Sequence, residues 1–320
     1  MTATRRALSE ARPSLVEAWR AQAAPSPFTH PDVSAAAAAA FGLGAMAWEV
    51  DGAWSVAFEK TLGRGPLAVR VLALPPLLPV AAPILATAPS EVDTHRRQTP
   101  LDALIGAIAR RYAQATFALP ASWTDPRPFA FAGWDVEARF TYLVDLPSDV
   151  DGWSSGRRQD ARTDGYEARV GGRETQPDTD DVTAALRLQS DAYRRKALPF
   201  SPTTAQMATL ADALHKAGLL RSVVVRQGGE VHAAALFAVA GSRATYWLAG
   251  SRPGPAMAVL FAHAFEALRA EGVTTVDLGG ANVPGVAEFK RQFGSRLVPT
   301  YRVRHSGSRW FNALQALRRP

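Results

Sequence analysis

Asp277 lies near the end of the short β-branched run Val273-Thr-Thr-Val-Asp-Leu278, two residues ahead of Gly279-Gly280. A carboxylate at the end of a strand beside a glycine turn can accept a proton from an amine or bind an acceptor molecule; it can equally cap the turn through its own backbone. The chain's positive charge begins just downstream. Lys290, Arg291, Arg296, Arg302, Arg304, Arg309, Arg318 and Arg319 fall in a stretch with no Asp or Glu, and the remaining 28 of the 36 Lys and Arg balance the 29 acidic residues, so the net charge of +7 belongs to the C-terminal end. Such a field suits a phosphate-bearing partner: coenzyme A, tRNA, a lipid-linked pyrophosphate or an anionic membrane surface. A solvated basic tail is the other reading.

These residues need elements to position them. Val273 to Leu278 reads as a strand, Gly279-Gly280 as a turn where a Cβ would collide, and Pro284 as the first turn of a helix. Val286, Phe289 and Phe293 share one helical face, Gly294 is placed to end the helix in a left-handed conformation, and Leu297 to Val303 alternates like a strand. The result is a β-α-β unit closing a sheet.

Several chemistries are excluded. The chain has no Cys, which removes disulfides, thiolate metal sites and a cysteine acyl-enzyme. His30, His95, His215, His232, His263 and His305 show no metal spacing, and neither a G-x-S-x-G nor a Walker sequence occurs. Gly42, Gly44 and Ala47 match G-x-G-x-x-A, but a dinucleotide site needs a strand before and a helix after. Here a helix precedes, and Ala47 to Val50, Asp51-Gly52 and Trp54 to Thr61 read as strand, tight turn and strand.

At 320 residues and 47% hydrophobic content, the chain can bury two cores of roughly 150 residues each. Residues 1–24 read as an N-terminal helical extension with no unbroken apolar segment, which argues against a signal peptide. Asp32 or Ser34 can cap a helix through Ala40. Leu67 to Leu74 is strand-like, Val71 to Ala88 is uncharged but broken by four prolines, Leu101 to Tyr112 is an amphipathic helix and Ala115 to Leu119 a strand. The N-terminal domain is expected over 25–150, a polar crossover over 151–177 and a second domain over 178–306. In the latter, helices Asp178 to Ala197 and Thr203 to Ala217 precede strands Leu219 to Arg226, Val231 to Val239 and Arg243 to Leu248, then helix Ala256 to Ala270. Both halves thus repeat one order: helix, three antiparallel strands, helix, strand. Residues 307–320 read as a basic amphipathic helix that lies on a membrane or docks on its own domain.

The phrase Asp277-Leu-Gly-Gly, Pro284-Gly-Val and Glu288-Phe-Lys-Arg-Gln-Phe-Gly294 resembles the end of the second GNAT-like domain of the Fem-type family, the peptidoglycan interpeptide-bridge aminoacyltransferases and their acyltransferase relatives. Trp123-Thr-Asp-Pro-Arg-Pro-Phe129 and Arg139-Phe-Thr-Tyr-Leu-Val-Asp145 resemble the strand pair that joins the two domains in that family. The resemblance implies an α/β fold of two tandem GNAT-like domains, each a mixed, mostly antiparallel sheet flanked by helices. It also implies direct acyl transfer to an amine held where two parallel strands splay apart. In the Fem-type enzymes a Phe-Lys pair at this helix is associated with the active site, which implies Phe289 for substrate contact and Lys290 as a cation near the donor ester or its phosphate. The usual GNAT pattern would place a Tyr acid at the position of Lys290. The phosphate turn corresponds to Ala249-Gly-Ser-Arg-Pro-Gly-Pro-Ala256, with Arg252, Gly254 and Ala256 as candidate donor contacts. Pro253 and Pro255 remove two amides that would donate there, and a simple structural turn is the alternative.

The sequence therefore points to a cytoplasmic N-acyltransferase, with peripheral contact at the inner membrane face left open. Its catalytic candidates are Lys290 and Asp277, and its substrate contacts Gly279, Gly280, Phe289, Tyr246, Arg139 and Tyr142. The expected donor is acyl-CoA, acetyl-CoA included, or aminoacyl-tRNA, the acceptor an amine such as a cell-wall precursor, and no metal is expected. A catalytically silent GNAT-like binding module is the alternative from another class.

Overall fold

Capping chemistry in the sequence sets where several helices begin. In the computed structural model, which describes residues 2–65, 68–85, 99–146, 179–195, 202–282 and 284–307, Thr99 and Thr203 each take part in a capping box, with Asp102 and Gln206 respectively. The expected crossover at 151–177 and the helix expected at the C-terminus from Ser308 onward lie outside the described residues.

Backbone contacts group the chain as Met1–Arg139 with Pro299–Pro320, and Phe140–Val298. The first unit runs β1 (Thr4–Ala7), α1 (Leu8–Arg20), α2 (Pro31–Ala40), β2 (Gly44–Val50), β3 (Ala53–Leu62), β4 (Val69–Leu72), β5 (Ile84–Leu85), α3 (Pro100–Arg111), β6 (Gln114–Leu119) and α4 (Arg127–Phe131). β7 (Asp135–Asp145) carries the chain onward. The second unit adds α5 (Thr179–Arg195), α6 (Thr204–Lys216), β8 (Leu220–Gln227), β9 (Glu230–Ala240), β10 (Arg243–Ser251), α7 (Ala256–Ala270), β11 (Thr275–Gly280) and α8 (Pro284–Arg291), and β12 (Arg296–Ser306) returns to the first.

In the first unit the strand order is β1-β2-β3-β4-β6-β12, and β4 with β6 is the parallel pair. In the second unit it is β7-β11-β10-β9-β8, with β10 and β11 parallel. Each unit therefore repeats one plan. Three antiparallel strands run into a helix, which returns the chain as a strand parallel to the third: β2-β3-β4, α3, β6 and β8-β9-β10, α7, β11. The Asp51-Gly52 turn between β2 and β3 has φ of 38° and 88°, the left-handed pair that a two-residue hairpin needs.

The second core is built on α7. Val259, Leu260, Phe261, Ala264, Phe265 and Leu268 are all buried, and burying each of the larger side chains contributes about 1.5–3 kcal/mol. Phe261 meets Phe293 at 4.7 Å and Phe289 at 5.9 Å between ring centroids, which fixes α8 against α7.

The structure differs from the sequence reading at several places. Residues 1–24 begin with strand β1, which pairs antiparallel with β2, so the extension is not helical throughout. His30, not Asp32 or Ser34, caps α2, its Nδ1 accepting the Asp32 N–H at 3.3 Å, and Pro31 takes the first helical position. Trp123 to Phe129 is not a strand: Arg127–Phe131 is a short helix, and Phe129 is fully buried beside Phe117 and Trp134. The expected closing β-α-β is also different. β12 pairs antiparallel with β6, Tyr301 opposite Leu119, because a strand joins the edge that offers free backbone groups and not its neighbour in the chain.

Candidate functional site

The two strands that the chemistry needs part company at a defined point. β10 and β11 run parallel through Arg243 opposite Thr275, Ala244 opposite Val276 and Thr245 opposite Asp277, and the pairing stops there. One position later β10 bulges against β9, between Tyr246 and Leu248. A bulge inserts one residue, bends the strand and strengthens its twist. The loss of pairing at Asp277 thus coincides with a kink in its neighbour.

Asp277 is fixed from two directions. Its Oδ1 accepts a hydrogen bond from Thr141 Oγ1 on β7 and another from the Gly279 N–H at 2.8 Å. Gly279 has φ of +73°, the left-handed region where a side chain is strained, and a Cβ there would lie 3.4 Å from the Tyr246 carbonyl oxygen and 3.7 Å from Lys290 Nζ. Glycine is required for conformation and room together.

Lys290 reaches this turn from α8. Only 7% of its surface is exposed, and its Nζ donates to the carbonyl oxygens of Gly279 and Gly280, each at 3.0 Å. The ammonium also lies 5.9 Å from the centre of the Tyr246 ring, inside the range of cation–π attraction. Burial lowers its pKa to about 8, against the opposing pull of the Asp277 charge. Desolvation likewise raises Asp277, although Thr141, Gly279 and the Lys290 charge each pull it down. The residue as a whole is half-buried while its carboxylate is enclosed. Tyr246 is pushed above the ordinary tyrosine range by desolvation, and its hydroxyl donates to Met257 Sδ at 3.8 Å. Asp277, Gly279, Gly280, Lys290 and Tyr246 form one cluster, and Phe289 turns its ring to Phe261 and Phe293 at its edge.

The other expected residues lie elsewhere. Arg252 sends its guanidinium to Glu230 at 2.6 Å, and its N–H bonds the His232 carbonyl, so it faces β9 and not the start of α7. Gly254 has φ of +128° with open space around it, and Ala256 is buried in the core. Tyr142 is also buried in that core. Arg139 belongs to the first unit and pairs with Glu137 at 2.9 Å.

Three polar neighbours of these strands have no signal in the sequence. Thr141 holds Asp277. Asn282 exchanges two 3.2 Å hydrogen bonds with the Phe140 backbone, continuing with a side-chain amide the β7 contact of β11. Gln189 on α5 accepts the Ala249 N–H at 3.0 Å. Each acts through a segment distant in sequence, so no local pattern marks it. Among the described residues no group of three His, Asp or Glu is arranged to hold a metal. The first unit has a cavity of about 370 Å³ lined by Gln22, Val80, Leu85 and Trp123 among others, and none of the candidate residues borders it.

Parallel strands that separate beside a buried Lys, in a unit of three antiparallel strands, helix and strand, define the class: a fold of the GNAT type. The profile of the acetyltransferase (GNAT) domain matches residues 154–291. The whole chain is similar in fold to FemX, with a TM-score of 0.65 at 12% identity over 94% of this chain and 97% of that one. The L-PGS of Bacillus licheniformis gives 0.52 at 14% identity over 85% and 88%, and a tandem GNAT protein from the clavulanic acid biosynthesis pathway 0.50 at 16% over 96% and 98%. The architecture is thus Fem-like, with two GNAT-like units. Comparison with curated proteins finds no match in sequence. No described helix is long and apolar enough to cross a membrane.

Proposed function

We propose that the second unit transfers an acyl or aminoacyl group directly from an activated ester or thioester to an amine, in the gap where β10 leaves β11. The observation that supports this best is the buried Lys290 cation joined to Asp277 through Gly279 at that gap. In the reaction the amine nitrogen attacks the carbonyl carbon, a C–N bond forms, and the C–S or C–O bond to the carrier breaks. The amine proton passes to Asp277, whose two hydrogen-bond donors, the Thr141 hydroxyl and the Gly279 N–H, both fall on Oδ1, leaving Oδ2 as the accepting oxygen. Desolvation that favours the protonated carboxyl makes this transfer easier. An ammonium has three donors; two of those on Lys290 go to carbonyls and the third is directed to the oxyanion that develops on the acyl carbon. Phe289 and the Tyr246 ring wall the site, and the leaving thiolate or alkoxide takes up the proton on departure.

The donor is an acyl-CoA or an aminoacyl-tRNA. Pro253 and Pro255 offer no N–H to a phosphate, and Arg252 is engaged by Glu230, which together disfavour a phosphate anchor at the start of α7. The resemblance of the Asp277–Gly294 stretch to the Fem-type family supports a cell-wall precursor as the amine acceptor, and the basic C-terminal sequence supports work at the inner membrane face. Incubation with acetyl-CoA, longer acyl-CoAs or aminoacyl-tRNA and a panel of amines tests the reading: amine-dependent release of free coenzyme A or uncharged tRNA supports it, and absence of release with every donor refutes it. A second reading, a catalytically silent binding module, is favoured by the same two prolines and by the Lys where the usual pattern has Tyr; binding of a donor without turnover is its signature.

A further inference from the structure

Past the last β10–β11 pair, the exposed edge of β10 is occupied by side chains of α5. Gln189 Oε1 accepts the Ala249 N–H at 3.0 Å and Arg195 Nη2 donates to the Ser251 carbonyl at 2.6 Å. The alternation of the strand explains why these two residues are the ones addressed. Before the bulge Ser242 presents its carbonyl to Thr274 on the β11 side; the extra residue between Tyr246 and Leu248 reverses the alternation, so odd-numbered residues face that side beyond it. Close packing sets the reach of the helix. A Cβ on Gly250 would lie 2.1 Å from the Leu188 carbonyl carbon and 2.4 Å from the Gln189 nitrogen, so α5 rests directly on the strand and only 7% of Gln189 is exposed.

A carboxamide C=O that accepts a backbone N–H presents the same chemistry as the carbonyl of an ester or thioester doing so. We infer that Gln189 holds the position of the acyl carbonyl before a donor arrives, so that a donor binds by displacing its side chain from the Ala249 N–H. This rests on the acyl-transfer reading and adds to it a gate: the donor's carbonyl competes with an internal one. Exchange of one acceptor for another on the same N–H leaves the hydrogen-bond count unchanged, so the side chain sets affinity without forbidding binding. It also rejects ligands that reach this edge without a carbonyl, since they would leave Ala249 N–H buried and unpaired.

Binding of acetyl-CoA and of an aminoacyl-tRNA, each measured by calorimetry with the full chain, tests the inference in the two donor arms. Gln189→Ala removes the competitor and tightens binding of the true donor about three- to tenfold, the range of one net hydrogen bond. Gln189→Glu keeps a stronger acceptor and adds negative charge, and weakens it. Arg187→Ala, an exposed position on the same helix, leaves affinity unchanged, and the kcat of Gln189→Ala stays within about twofold while KM falls. Equal affinities of wild type and Gln189→Ala overturn the gate while leaving acyl transfer intact. Weaker binding by Gln189→Ala, with its melting temperature preserved, also overturns it, by making Gln189 a direct contact. Binding of neither donor by any variant removes both readings.

Discussion

Asp277 and Lys290 are held on the two sides of a single residue: Gly279 gives its N–H to Asp277 Oδ1 at 2.8 Å and its carbonyl to Lys290 Nζ at 3.0 Å. The two charges are thus related by backbone geometry and not by a direct ion pair. A direct pair would be neutralised in place. Separated by a glycine, the carboxylate and the ammonium stay available to a third molecule, and each moves the other's pKa in the stabilising direction.

The first prediction concerns pH. Lys290 loses its proton near pH 8 instead of 10.5 because burial penalises the cation. If the ammonium stabilises the oxyanion, kcat/KM falls above about pH 8 in the wild type. Lys290→Arg, whose guanidinium stays charged to beyond pH 12, loses that upper limb even if its rate is lower throughout. A wild-type profile flat from pH 7 to 10 would remove Lys290 from the chemistry. Stability moves in the opposite sense. Since the folded pKa lies below the unfolded one, the penalty of the buried cation is complete below about pH 8 and is relieved as pH rises toward 10.5, so on this account alone unfolding at pH 10 becomes harder than at pH 7, by at most about 3 kcal/mol.

Asp277→Asn separates the two roles. The amide keeps an acceptor for Thr141 and Gly279, so the turn survives, but the charge that raises the Lys290 pKa is gone. The upper limb of the profile therefore moves below pH 8. Turnover drops about 10²–10⁴-fold if Asp277 is the proton acceptor. An unmoved limb would show that the two side chains do not communicate.

Gly279→Ala tests the turn itself. The substitution meets both a left-handed φ and contacts at 3.4 and 3.7 Å. A loss of about 1–2 kcal/mol follows from the backbone alone, with the Lys290 contacts disturbed in addition. Urea denaturation measures the first and the pH profile the second. Full stability would mean the turn relaxes without strain.

How much of this was legible in the sequence depends on the range over which a residue acts. Pro284 and Gly294 act on their own neighbours, and both follow local rules: Pro284 opens α8 and Gly294 takes a left-handed φ of 67° shortly beyond its end, whereas Gly279-Gly280, expected as a turn after the strand, belongs to β11, whose register against β7 shifts between Asp277 and Gly280. The motif marks Lys290, but its burial arises from packing of α8 against α7, which no window of sequence contains. Thr141 and Asp277 are separated by 136 positions, and Gln189 and Ala249 by 60; only the folded sheet makes them neighbours. The engagement of Arg252 is hidden for the same reason. Its partner Glu230 stands on the adjacent strand, and an arginine beside a carboxylate binds it first.

Two glycines in the second unit give opposite results on replacement by alanine, and the contrast checks the packing of α5 on which the gate depends. At Gly250 a Cβ would stand 2.1 Å from the Leu188 carbonyl carbon and 2.3 Å from its oxygen, both main-chain atoms that cannot rotate away. Gly250→Ala therefore forces α5 off the strand, breaks the Gln189 contact with Ala249, and costs several kcal/mol. At Gly285, near the start of α8, an added methyl would meet nothing within 4 Å, and the φ is not left-handed. Gly285→Ala gains helix propensity and loses unfolded-state entropy, and raises stability by about 0.5–1 kcal/mol. Thermal unfolding of the two variants side by side decides the matter: if Gly250→Ala melts with the wild type, α5 is not seated on β10, and the side chain of Gln189 has no fixed claim on the Ala249 N–H.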